Sequence, residues 1–199
     1  MPRSFLENQR IKEMRFEKIV ETALFLFSYN GYDNVTIDMI TEKAEVSHGL
    51  FYHYFSSKID VLEELNKRCY KLFVKKFEDA IPEYGATIDY LKELNKVFIQ
   101  TMQSSPINNF YVNLFLSLIL KEINDTGELK YKSKKVYSNI RKIEDVYRLE
   151  HPEITKKEFK NKAINYLLYL HGISSNIIKF PNLYINRIDE NEIFNKFFN

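Results

Sequence analysis

The stretch VSHGLFYHYFSSK, Val46 to Lys58, sets two histidines, two tyrosines, a glycine and a lysine among apolar residues. Large apolar rings are usually buried, whereas serines, histidines and lysines usually are not. The segment must therefore divide between two faces. Leu50, Phe51, Tyr54 and Phe55 recur at the spacing of one side of a helix turned to a core. Ser47 stands where it can cap that helix. Ser47, His48, Gly49, Tyr52, His53 and Lys58 are left for the outside. A metal site, a catalytic cluster and a contact surface are the three uses open to such a face.

The neighbouring segments narrow the choice. Phe16, Ile19, Val20, Ala23, Leu24 and Phe27 form one apolar stripe of a first helix, closed at Asn30-Gly31. Thr36 can cap a short second helix carrying Ile37, Ile40 and Ala44. Two short helices joined by a tight turn and braced by a longer one are the plan of a helix-turn-helix. In that plan the second short helix enters the major groove with small residues leading. Gly49 lets the backbone come close, and His48 can reach a base edge. Tyr52 and His53 lie one turn further on and can donate to phosphates or bases. Thr36 opens a helix whose positive dipole end can face a phosphate, and Lys58 is a charge suited to the DNA backbone. The plain alternative for His48 and His53 is a solvated surface.

The remainder of the chain also reads as helix. Ser57 opens a fourth helix, with Asp60 as capping-box partner, expected to run to about Asp79 before Pro82. Thr87 heads a helix ended by Ser104-Ser105-Pro106, and Ile107 to Ile123 is apolar on most sides. Gly127 precedes a polar helix over 128–149, and Thr155 with Glu158 caps a helix to about Lys179. Asp189 with Glu192 starts a last short one. The expectation is an all-α chain of nine helices: a DNA-binding domain over 1–56 and a helical ligand-binding and dimerisation domain over 57–199.

Composition excludes several classes. The 199 residues are 45% hydrophobic and 28% charged, with only five glycines and five prolines, which is globular and favours helices. Cys69 is the only cysteine, so no intrachain disulfide forms. The first residues lack the apolar core of a signal peptide, and the most apolar run, Phe110 to Leu120, is far short of the ~20 residues that cross a bilayer. A soluble cytoplasmic protein with no membrane partner is expected. His48 and His53 are five apart, off the spacing of a helical metal pair, and no carboxylate or cysteine completes a set. No nucleophile-base-acid order, phosphate loop or carboxylate pair occurs either. The expectation is a binding protein with no catalytic residue, metal or cofactor. Residues 1–60 hold seven Lys/Arg against nine Asp/Glu, a net charge of −2, so DNA binding must rest on local placement. The basic run of Lys130, Lys132, Lys134, Lys135, Arg141 and Lys142 reads as a solvated helix face.

Over IVETALFLFSYNGYDNVTIDMITEKAEVSHGLFYHYFSSKIDVLEEL the chain resembles the TetR family of bacterial transcription regulators. The resemblance is carried by Ala23, Phe27 and Gly31-Tyr32, by Thr36 ahead of Ile40, and by VSHGLFYHYFSSK. It implies a TetR-like fold, a homodimer that binds an operator in double-stranded DNA, and a carboxy-terminal domain that senses a small molecule. It also implies DNA contacts at Thr36, Ser47, His48, Gly49, Tyr52, His53 and Lys58. Three residues depart from the family pattern: Glu45 where glycine is usual in the turn, Leu50 in place of a small polar residue, and Thr41 where alanine is frequent.

In the second domain, the helix KNKAINYLLYLHGISSNIIKF is apolar on nearly every side and so needs cover all round. A second copy is the expected cover, through Leu167, Leu170, Ile173, Ser174 and Ile177 together with Phe194 and Phe197 of the last helix. A pocket for an effector is expected among Tyr90, Phe98, Met102, Phe110, Tyr111, Leu114, Phe115 and Tyr137, suiting a small apolar or aromatic inducer. The function expected is a ligand-responsive repressor on a palindromic operator. The rival readings are a helical small-molecule-binding protein and a DNA-platform protein that does not itself repress.

Overall fold

The computed structural model describes the backbone of residues 5–127, 134–184 and 188–198, with the side chains of 134–137, 139, 183 and 184 outside that description. Every described element is helical, and no strand occurs among the described residues. Contacts divide the chain into two compact units, Met1–Arg68 and Cys69–Asn199. The fourth helix, expected to open the second domain, thus lies almost wholly in the first unit.

The first unit holds α1 (Phe5–Asn30), α2 (Ile37–Ala44), α3 (His48–Tyr54) and α4 (Lys58–Cys69). Ile19, Val20, Ala23, Leu24 and Phe27 of α1 are buried, as their period requires. They meet Val35, Ile40, Ala44, Phe51, Phe55, Val61 and Leu65, all 5% exposed or less. Phe16 stacks on Phe55 at 5.2 Å and meets Tyr54 edge-on at 5.8 Å. Each ring buried here contributes about 1.5–3 kcal/mol. Gly31, at φ 78°, ends α1 in a left-handed turn, and its N–H donates to Phe27 O at 3.0 Å. α4 starts as its sequence predicts, with Asp60 Oδ2 accepting from the N–H groups of Ser56 and Ser57 at 2.7 and 3.0 Å. Near its end, Arg68 makes a two-pronged ion pair with Glu17 of α1 at 2.6 and 2.8 Å.

The second unit opens on a π-helical turn (Tyr70–Val74), followed by α5 (Lys75–Tyr84), α6 (Ile88–Ser104), α7 (Pro106–Thr126) and α8 (Lys134–Glu150). It closes with α9 (Lys156–Lys179), the single turn α10 (Pro181–Tyr184) and α11 (Glu190–Phe198). With α4, the π turn and α5 taken as one unbroken run, the long helices described are nine, as the sequence leads one to expect. That run passes Asp79 and takes in Pro82. Pro82 falls in the last turn, where it removes one ladder donor, and Gly85 N donates to Ile81 O at 2.8 Å beyond it.

Two kinds of contact organise this unit. Phe73, Phe77, Phe98 and Phe115 form one aromatic cluster, with ring centroids 4.8 Å apart for Phe73–Phe115 and 5.0 Å for Phe77–Phe98. α7 and α9 meet instead along a polar seam. Asn109 Nδ2 donates to Ser174 O at 3.0 Å, Ser174 Oγ donates to Asn109 Oδ1 at 2.7 Å, and Asn113 Nδ2 donates to Ser175 Oγ at 2.8 Å. The small serines of α9 admit α7 closely, and the asparagines satisfy the polar groups so buried.

His171, half-buried on α9, has its pKa pushed below the ordinary 6.5 by burial. Above that value the folded and unfolded chains both carry it neutral. Below it the unfolded chain takes a proton that the folded chain resists, so stability falls as pH falls. His171→Leu is expected to flatten the stability profile between pH 7 and pH 5, measured by urea unfolding at each pH.

Candidate nucleic-acid interface

The turn between α2 and α3 decides where the outward residues point. Glu45 N donates to Glu42 O and Val46 N to Thr41 O, both at 3.0 Å. This pair of bonds closes α2 with one residue in the left-handed conformation. That residue is Glu45, at φ 53° and ψ 44°, the one non-glycine with positive φ among the described residues. Its side chain reaches back to α1, where Lys18 Nζ donates to Glu45 Oε2 at 2.7 Å. The Lys18 ammonium holds the Glu45 carboxyl below the usual carboxylate range. The Glu45 carboxylate is thus paired within the first unit.

Ser47 caps α3 in extended conformation, its Oγ accepting from Leu50 N at 3.1 Å. The helix then presents the two faces read from its sequence. Phe51 and Phe55 are buried, Leu50 and Tyr54 half-buried, and the Tyr54 hydroxyl donates to Lys12 O at 3.1 Å. Ser47, His48, Gly49, Tyr52 and His53 are all exposed. A Cβ built on Gly49 would meet only Ser47 Oγ, at 4.0 Å. Nothing in the folded chain requires glycine there. Thr36 is exposed at the start of α2, its Oγ1 accepting from Met39 N at 3.2 Å. His48 Nε2 lies 3.4 Å from Thr41 Oγ1 and 3.5 Å from Asp38 Oδ1.

Lys58 does not join this face. Its ammonium donates to Tyr32 O at 2.8 Å and Val35 O at 2.6 Å, and lies 4.3 Å from the Tyr32 ring centroid. Both carbonyls lie in the loop outside the helical ladders, where Tyr32 O otherwise accepts only the 3.4 Å bond from Val35 N, so the ammonium gives each a charged donor. Nothing in the local sequence marks the direction of the lysine stem, because the two carbonyls lie 26 and 23 residues away.

In the second unit six of the eight expected pocket residues are buried. Tyr90, Met102 and Leu114 are at most 1% exposed, Phe98, Tyr111 and Phe115 at most 9%, and Phe110 is half-buried. Phe98 and Phe115 are occupied by the aromatic cluster, and the Tyr90 hydroxyl donates to Phe77 O at 3.1 Å. The side chain of Tyr137 lies outside the described residues, as do Lys130, Lys132 and the side chains of Lys134 and Lys135. An open groove of about 710 Å³ runs instead between α5 and α6, lined by Lys76, Asp79, Glu83, Lys96 and Thr101 over Leu72 and Val97. None of the seven expected residues whose side chains are described lines it. Apolar periodicity marks core-facing residues and so does not reveal a groove with a charged rim.

The expected dimer residues divide in the same way. Leu170 and Ser174 are fully buried, and Ile177 and Phe194 are 3% exposed, covered within the chain. Ser174 is bonded to Asn109 in the seam with α7 and forms no surface. Leu167, Ile173 and Phe197 are half-buried. The open apolar side of α9 is carried by Leu168, 51% exposed, and Tyr169, 37% exposed. No described helix is long and apolar enough to cross a membrane.

Residues 19–65 match the family described as bacterial regulatory proteins, tetR family. Over 188 residues the chain is 22% identical to an HTH-type transcriptional regulator of Staphylococcus aureus strain USA300, covering 83% of this chain and 97% of that protein. It is 25% identical over 151 residues to the biofilm operon icaADBC negative transcriptional regulator IcaR of Staphylococcus aureus strain Newman, covering 76% of this chain and 79% of IcaR. The MbdR regulator from Azoarcus sp. CIB shares the fold with a TM-score of 0.57 at 23% identity, over 93% of this chain and 97% of its own. A tetR family regulator from Shewanella sp. PV-4 does so with a TM-score of 0.52 at 17% identity, over 92% and 96%.

Two stability measurements follow from this geometry. Glu45→Gly removes a side chain from a left-handed position and is expected to raise the thermal midpoint by about 2–4 °C. Lys58→Met leaves two loop carbonyls without their charged donor and is expected to cost about 1–3 kcal/mol in urea unfolding.

Proposed function

We propose, for a chain that belongs to the TetR family of bacterial regulatory proteins, that it acts in the cytoplasm as a homodimeric repressor. It binds a palindromic operator in double-stranded DNA and is released by a small molecule. The family is one of DNA-binding regulators and not of enzymes. The observation that carries the DNA contact is Gly49. It sits exposed in a row with Ser47, His48, Tyr52 and His53, at a place where the fold itself has no need of glycine. Missing bulk at the centre of an outward helix face lets another backbone approach. Side chains that can donate and accept surround it, as contacts with both phosphates and base edges require. Thr36 adds the capped start of α2 to the phosphate contacts, and Lys58 supports the loop behind it. Two such faces, in successive major grooves, lie about 34–36 Å apart on the operator.

Repression is supported by IcaR, which is named a negative regulator. Dimerisation is supported by the uncovered side of α9, where Leu168 and Tyr169 stand open beside the half-buried Leu167 and Ile173. An isologous contact along α9 and α11 would cover them. The effector is best placed in the groove between α5 and α6. Its charged rim over Leu72 and Val97 suits an amphipathic ligand better than the purely apolar one expected from the rings. Whatever its identity, the ligand can shift the regulator only by its differential affinity for the two states.

Gly49→Ala separates DNA contact from folding. Alanine at an open helical position is expected to stabilise the protein by about 0.5–1 kcal/mol while weakening retention of a duplex carrying the promoter of the chain's own gene at least ten-fold. Unchanged retention, or no salt-sensitive retention by the wild type, removes the repressor reading. For the dimer, Leu168→Glu is expected to halve the mass found by light scattering at micromolar concentration, with the helical circular dichroism unchanged.

A further inference from the structure

His48 opens α3, but one of its ring nitrogens is already engaged within the first unit. Nε2 lies 3.4 Å from Thr41 Oγ1 and 3.5 Å from Asp38 Oδ1, both on α2. The Thr41 hydroxyl has a single hydrogen, and that hydrogen is given to the Asp38 backbone carbonyl at 3.0 Å. Toward His48 the hydroxyl can only accept, and an ionised carboxylate has no hydrogen to give. Nε2 therefore faces two acceptors, and the proton of the neutral ring belongs on it. Thr41 is 3% exposed, so its hydroxyl is fixed by the packing around it. The His48 side chain keeps 56% of its surface open, and Nδ1 is the nitrogen left for a partner outside the chain.

The geometry points to Thr41 and Asp38 as positioning residues that hold His48 as the Nε2–H tautomer and so set which base edge it reads. The inference rests on the DNA-binding reading and extends it to base choice. With Nε2 committed, the neutral ring offers a lone acceptor at Nδ1. In the major groove an acceptor pairs with the N6 amino group of adenine or the N4 amino group of cytosine, and is repelled by O6 and N7 of guanine. A histidine free to turn could present either a donor or an acceptor and would discriminate less. Thr41, a buried hydroxyl in a short helix, and Asp38, an acid on a DNA-facing unit, thereby share one role.

The test has two arms, both on the full chain at pH 8, above the ordinary histidine range. In the first, the four histidines are labelled with nitrogen-15, and the tautomer of His48 is read from long-range proton–nitrogen correlations. Its signal is identified by its loss in His48→Gln. The Nε2–H pattern is expected in the wild type and in Thr41→Ser, giving way to a mixture in the double variant Thr41→Val, Asp38→Ala. A wild-type Nδ1–H pattern, or a pattern the double variant leaves unmoved, overturns the inference. In the second arm, binding sites are selected from a random-sequence duplex library. Thr41→Val is expected to lose about 5- to 100-fold of the preference at the same base pairs that His48→Gln loses. Thr41→Ser is expected to keep that preference, and binding to non-specific duplex should change less than two-fold. Preference lost in His48→Gln but intact in Thr41→Val overturns the inference. A wild type that enriches no sequence instead overturns the DNA-binding reading, and the first arm still decides whether Thr41 and Asp38 hold the ring.

Discussion

One left-handed residue sets the geometry on which the first unit's outward face depends. At Glu45 the chain leaves α2, reverses, and enters α3 three residues later, with two backbone bonds closing the α2 terminus across it. Any other conformation at that position would rotate α3 about its own axis. Phe51 would leave the core, and Ser47, His48, Gly49, Tyr52 and His53 would lose their common side. Glutamate is an unusual occupant of such a position, because its Cβ crowds the following carbonyl. Its length is what glycine lacks, since it reaches Lys18 and ties the turn to α1. Conformational strain and a tertiary ion pair thus act at the same residue with opposite sign.

The same unit shows how a weakly charged domain can still meet a polyanion. Three of its acids are paired internally: Glu17 with Arg68, Glu45 with Lys18, and Asp60 with the N–H groups that open α4. Burial raises and the Arg68 guanidinium more strongly lowers the Glu17 pKa, leaving it below the carboxylate range. The net charge of −2 is that of residues 1–60 as a whole, and none of Ser47, His48, Gly49, Tyr52 and His53 contributes to it. The face itself is nearly neutral and rich in groups that both donate and accept, which favours recognition by hydrogen bonds over bulk attraction.

In the second unit the balance lies between rings and amides. The phenylalanine cluster uses Phe98 and Phe115, two of the residues expected to line a ligand pocket, because an unfilled apolar cavity is costly and rings from α6, α7 and the π turn close it. The polar seam of Asn109, Asn113, Ser174 and Ser175 does the opposite work. It lets α7 and α9 approach closely while every buried amide and hydroxyl in it finds a partner. α9 is thereby covered on one side within its own chain, and what remains for a second copy is narrower than its all-round apolar sequence implies.

Helix ends were legible residue by residue, since capping is local chemistry. Thr36, Ser47, and Thr155 with Glu158 cap where their order in the chain says they should, whereas Thr87 gives its hydroxyl to Tyr84 O instead of capping α6, and Ser105, read as a helix end, caps α7. The inward side of α3 was legible too, because a period of 3.6 admits one arrangement of Phe51 and Phe55 around a core. The direction of long or small polar side chains was not. Lys58 could reach phosphate or carbonyl, Ser174 could line a surface or a seam, and an apolar ring could line a pocket or fill it. Each of those pairs has the same local sequence, and only distant segments choose between them. The sequence by itself determined the helices, their ends and the division of VSHGLFYHYFSSK into two faces. Tertiary structure decided what stands opposite each face, because partners such as Tyr32 for Lys58, Lys18 for Glu45 and Asn109 for Ser174 lie 26, 27 and 65 residues away.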